Sequence, residues 1–101
     1  MNLLNLADII IKDTSSSRAC AVAAAWRILN EYQEDFKAAA LELAQGEAPA
    51  IQVSGMGLKD VEKLSGTRSF EALELLRIMS LDPAAGMELV FRLGRSDRIL
   101  R

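Results

Sequence analysis

The ionisable side chains limit what this chain can do chemically. It contains no histidine. That removes imidazole general bases, Ser-His-Asp and Cys-His catalysis, and every metal site that needs an imidazole ligand. Carboxylates, arginines and one thiol remain. Glu31, Glu34 and Asp35 stand at spacings that share one helix face, where carboxylate oxygens can hold a hard cation. They lack the Glu-x-x-His pairs of helical di-metal bundles, so the cluster reads as a solvated outer face, as do Glu71 and Glu74. Cys20 is the only cysteine, so no intrachain disulfide is possible. It falls one turn into an Ala-rich helix and reads as a buried small hydrophobe. Arg92, Arg95, Arg98 and Arg101 recur every third residue. On a helix continued through Gly94 they would form a stripe for phosphate or carboxylate. Gly94 reads instead as the helix end, and the series as a basic bias that suits the helix dipole. These residues lead to the expectation of a non-enzymatic protein with no cofactor and no bound metal.

The elements that would position these groups follow from the hydrophobic spacing. Val22, Leu29, Phe36 and Leu43 repeat every seventh residue in a stretch, residues 17–45, that holds neither Pro nor Gly. Ala25, Tyr32 and Ala39, then Trp26, Gln33 and Ala40, extend the stripe at helical spacing. The pattern predicts one helix over 17–45, about 40 Å long at the helical rise. Residues 13–17, with Ser15, Ser16 and Ser17, supply its N-terminal cap, and Gly46 its left-handed stop. Leu3, Leu6, Ala7 and Ile10 predict a short first helix over 2–12. Residues 46–57 contain Pro49 and three glycines and read as a loop, because Ile51 and Val53 alone have no strand to pair with. Further helices are expected over 58–64, over 69–80 with Ser69 as N-cap, and over 83–93 with Asp82 as cap and Pro83 in the first position. The fold expected is all-α, a bundle of four to five helices built on the long one, in a single domain over 1–101.

Composition fits that expectation. The chain has 101 residues and a net charge of −2, with 50% hydrophobic and 26% charged residues. Residues 1–56 carry four basic and seven acidic side chains, and residues 57–101 carry eight and seven, a mild asymmetry. Nothing polybasic points to nucleic acid or to a membrane surface. The apolar N-terminus, Met1 to Ile11, lacks a charged leader region and is too short to span a bilayer. A cytoplasmic location is expected from the cysteine usage.

One segment carries a family resemblance. Leu58-Lys59-Asp60-Val61-Glu62-Lys63-Leu64-Ser65-Gly66, followed by Thr67-Arg68-Ser69, is similar to the opening of the DNA-binding headpiece of lactose-repressor-type transcription regulators. In that family a Lys-Asp-Val…Lys-Leu…Gly run forms the first helix and turn of a helix-turn-helix. The resemblance covers about a dozen residues. It departs at Glu62, where the family has a small residue, at Thr67, where it has an apolar one, and at Arg68, where it has a capping Ser. It implies DNA binding by residues 58–80, with the helix from Ser69 entering the groove and Lys59, Arg68 and Arg77 towards DNA.

Two functions are therefore expected from different classes. The first is a protein–protein interaction protein: an adaptor, assembly chaperone, inhibitor or small structural subunit. It would act through an apolar helical surface, with Trp26, Leu29, Tyr32 and Phe36 as anchors and Arg92, Arg95 and Arg98 as charged rim. Its partner would be another protein or a second copy of the chain, forming a homo-oligomer. The alternative is a DNA-binding regulator using the degenerate helix-turn-helix.

Overall fold

The computed structural model describes the backbone of residues 1–99 and the side chains of residues 1–95. Six helices and one minimal strand pair make up the described chain: α1 (Leu3–Thr14), α2 (Arg18–Asn30), α3 (Glu34–Ala44), β1 (Gln52–Val53), β2 (Met56–Gly57), α4 (Leu58–Ser65), α5 (Ser69–Leu81) and α6 (Pro83–Ile99). The all-helical expectation holds; the long helix over 17–45 does not. The chain divides into two compact units, Met1–Pro49 and Ala50–Arg101.

In the first unit, Asn2 caps α1 by accepting the Asn5 N–H at 2.8 Å. Ser17 caps α2 by accepting the Cys20 N–H at 3.2 Å. Each satisfies a donor that the first helical turn leaves free. The two helices pack along each other, α1 burying Leu6, Ala7 and Ile10, and α2 burying Ala21, Ala25 and Ile28. Two alanines on that stripe keep the helix axes close. The buried line of α2 is therefore not the one through Val22 and Leu29, which are half-buried.

The predicted long helix breaks at residues 31–33. The amides of Glu31 and Tyr32 both donate to the Arg27 carbonyl, at 2.7 and 3.1 Å. Gln33 then adopts φ −62° and ψ 156°, and α3 starts afresh. No Gly or Pro sits here, and the Gln33 side chain makes no capping hydrogen bond. Side chains close the helix ends on either side, Asn30 donating to the Trp26 carbonyl and Asp35 accepting the Phe36 N–H, each at 2.9 Å, and the turn lets α3 bury Phe36, Ala39 and Ala40. Gly46 follows α3 with φ +81°, as its expected role as helix stop requires.

The second unit opens with a hairpin rather than the predicted loop. Val53 pairs with Met56 and Gln52 with Gly57, antiparallel. The two linking residues, Ser54 and Gly55, have φ 53° and 78°, the left-handed pair that suits a tight hairpin. The missing partner strand lay four residues further on. Asp60 then accepts the Gly57 N–H at 2.9 Å and fixes the start of α4.

α5 is central to this unit, burying Phe70, Ala72, Leu73, Leu75, Leu76 and Met79. Fully burying a Leu such as Leu73 or Leu76 contributes about 2 kcal/mol. Its N-cap is Arg68, not Ser69, and no side chain caps it. Asp82 does cap α6, accepting the Ala85 N–H at 3.2 Å. α6 does not end at Gly94. A Cβ at Gly94 would run into the Leu64 carbonyl oxygen, and one at Gly86 would lie 2.6 Å from the Met79 Cα. Both glycines are buried, with Val90 between them at 0% exposure. They are contact points that let α6 lie against α5 and the end of α4. Tertiary packing here outweighs the helix-propensity cost of glycine, about 1 kcal/mol.

Candidate functional site

α2 presents two contrasting sides. Its inner line is Ala21, Ala25 and Ile28. Its outer side carries Ala19, Ala23 and Trp26, all exposed, with half-buried Val22 alongside. An outward helix face is normally charged or polar; the middle of this one is apolar. Trp26 is 50% exposed, and its indole is the largest single block of apolar surface on the face.

Arg18, Ala19, Val22, Ala23, Trp26, Arg27 and Glu31 line an open depression on this side. Charge frames it. Arg18 donates to Asp8 of α1 at 2.9 Å, and Arg27 lies 4.0 Å from Glu31. Both pairs are well exposed, so they orient side chains more than they stabilise the fold. The Asn30 side-chain amide donates to the Trp26 carbonyl at 2.9 Å, closing the last turn of α2.

The expected anchors divide accordingly. Trp26 is available, Leu29 and Tyr32 are half-buried, and Phe36 is not a surface anchor because it is 2% exposed. Phe36 is a core residue because the break before α3 turns it inward. The expected rim stands on α6, in the second unit. Arg92 is exposed and donates to Glu88 at 2.8 Å, and Arg95 is exposed. Arg98 lies outside the residues whose side chains are described. Arg18, Arg27 and Glu31 were missed as frame residues. Their signal was available: charges at the ends and one edge of the run Ala19, Ala23, Trp26.

The carboxylate and thiol candidates resolve simply. Glu31, Glu34 and Asp35 are all exposed, and the break removes Glu31 from the helix that carries the other two. Glu34 and Asp35 lie in the first turn of α3, where the helix dipole favours negative charge. Among the described residues no group of three or more Cys, Asp or Glu is placed to hold a metal ion. Cys20 is exposed rather than buried, since its position on α2 turns away from the alanine line.

α4, a short turn and α5 do form two consecutive helices, with Gly66 left-handed at φ 71°. α4 buries Leu58, Val61 and Ser65, and Glu62 is only half-buried, so no charge is forced into the core. The Ser65 hydroxyl donates to the Val61 carbonyl at 2.6 Å. Lys59 and Arg68 are exposed. Arg77 is held bidentately by Glu74, with N···O distances of 2.8 and 2.9 Å, and is not presented as a free phosphate contact. The outward side of α5 carries exposed Glu71 and half-buried Glu74, which would meet DNA with the wrong charge.

No helix among the described residues is long and apolar enough to cross a membrane. Comparison with protein-family models, with curated proteins and with solved structures found no match.

Proposed function

We propose that this chain is a non-enzymatic interaction protein that binds another protein through the outer side of α2. The observation that carries the reading is Trp26, half exposed on an apolar helix face with charged side chains around it. Tryptophan in such a setting is a common binding anchor. It supplies a large rigid apolar area at small entropic cost, and surrounding polar residues seal it from water. The arginines and Glu31 would set orientation and on-rate more than affinity. Adaptor, assembly chaperone, inhibitor and small structural subunit all share this mode of action. DNA binding ranks behind it, because the helix that would enter the groove turns carboxylates outward.

The test uses a photo-crosslinking amino acid at position 23, beside Trp26, in the host cell. A specific crosslinked protein that disappears in Trp26→Glu, with the circular dichroism of the variant unchanged, supports the reading. No crosslinked protein, or one indifferent to Trp26→Glu, removes it. A mobility shift on duplex DNA at low salt, abolished by Lys59→Ala with Arg68→Ala, would move the function to the helix-turn-helix.

A further inference from the structure

The two units differ in what they bury. Among the described residues each unit has nine buried apolar side chains. In the first unit five of the nine are alanines, and only Leu6, Ile10, Ile28 and Phe36 are large. In the second unit Ala72 is the only alanine of the nine. Apolar burial stabilises in proportion to the area removed from water, and a buried alanine removes far less than a leucine or a phenylalanine. The opposing entropy of ordering scales with the number of residues fixed. The units, Met1–Pro49 and Ala50–Arg101, are nearly equal in length. The first unit therefore sets a smaller core against a similar ordering cost.

The pattern of packing is the second observation. In the second unit α4, α5 and α6 each pack against the other two, and the hairpin is held through β1 on α5 and β2 on α4. In the first unit α1 and α2 hold each other extensively, but α3 touches both only sparingly. A closed cluster of helices comes apart together, whereas elements held on few apolar contacts open at lower free energy. Residues 47–51 join the units and belong to neither helix nor strand, with Ala48 and Ala50 exposed.

We infer that the first unit opens and closes by itself, exposing Leu6, Ile10, Ile28 and Phe36, while the second unit stays folded. The fold thus contains a labile half and a stable half in one short chain. The Trp26 face lies on the labile half. The inference does not depend on that face being a binding site.

Hydrogen exchange read by mass spectrometry on the full chain tests it, because peptides from the two units report separately. After correction for intrinsic rates, the best protected amides of α2 should exchange at least about a hundredfold faster than those of Leu73 and Leu76 in α5. Ile28→Val should speed exchange in the first unit alone, by about two- to tenfold. Val61→Ala should speed exchange in the second unit alone. Urea unfolding of the unmodified chain is a second measurement that needs no variant. The single Trp and the single Tyr both lie in the first unit. Their fluorescence should therefore change at a midpoint about 1 M urea or more below the final loss of helical circular dichroism. Equal protection in the two units, a more protected first unit, a variant that speeds exchange in both, or coincident fluorescence and circular dichroism transitions overturns the inference.

Discussion

Replacing Gly86 with alanine tests the packing of the second unit most directly, because two effects of known size oppose each other. In a helix with free space around it, Gly→Ala stabilises by about 1 kcal/mol, since glycine loses more backbone entropy on folding. At Gly86 the added Cβ would lie 2.6 Å from the Met79 Cα and 2.8 Å from its backbone nitrogen. Ordinary carbon contacts lie at about 3.5–4.0 Å. The obstacle includes backbone, which no rotamer change removes, so α6 must retreat from α5 by about 1 Å. A gap of that size forfeits a quarter to a half of each dispersion contact along the seam. Met79, Leu76 and Val90 line the affected region, each at 0% exposure. Overpacking of this kind costs about 1–3 kcal/mol. Offset by the propensity gain, the net loss should be up to about 2 kcal/mol, or up to roughly 15 °C in Tm for a domain of this size. Urea unfolding followed by far-ultraviolet circular dichroism measures it. Ala38→Gly, at an exposed site on α3, is the control and should cost about 1 kcal/mol by propensity alone. A Gly86→Ala chain more stable than wild type would show that α6 does not lie against the α5 backbone, and the account of both α6 glycines would fail with it.

The remaining predictions concern separate features. Ser17→Ala removes the acceptor that caps α2 and should cost about 1 kcal/mol; Ser17→Gly should cost only a few tenths, and equal losses would show that the hydroxyl is not the cap. Gly55→Ala places a side chain at φ +78° and should destabilise by about 1–2 kcal/mol, read by the same urea titration; no loss would mean that the hairpin turn relaxes to another type. Trp26→Ala should cost about 1–2 kcal/mol, because half of the side chain is already in water and the other half buries roughly 100 Å² at about 25 cal/mol/Å². Tryptophan emission should accordingly sit well to the red of a buried indole, and a blue emission maximum would contradict the exposed face. Arg77→Ala should cost at most about 1 kcal/mol, as a partly exposed ion pair does, and the loss should shrink if Glu74→Gln is made first, the pair being coupled.

The all-helical class, the caps at Ser17 and Asp82, the stop at Gly46 and the central burial of the helix from Ser69 were all legible in residue order. Each rests on short-range physics: side-chain periodicity, a hydroxyl or carboxylate within reach of a free amide, a glycine where φ must be positive. The candidate site was legible only in part. Trp26 stood out as a rare large apolar residue, but its exposure depended on which side of α2 faces the core. The heptad pointed to Val22 and Leu29, whereas the alanine line Ala21 and Ala25 with Ile28 was chosen.

That choice, the bend at Gln33 and the passage of α6 through Gly94 share one character. In all three the local preference is weak or points the other way. The absence of Gly and Pro over 31–33 gives no strong stop, although Asn30 and Asp35 close the two helix ends by side-chain hydrogen bonds, and a helix that meets Gly94 ought to end. The deciding energy is burial against neighbours remote in the chain. Periodicity determined that this polypeptide forms amphipathic helices; assembly alone determined where they bend, how closely they approach and which apolar surface remains in water.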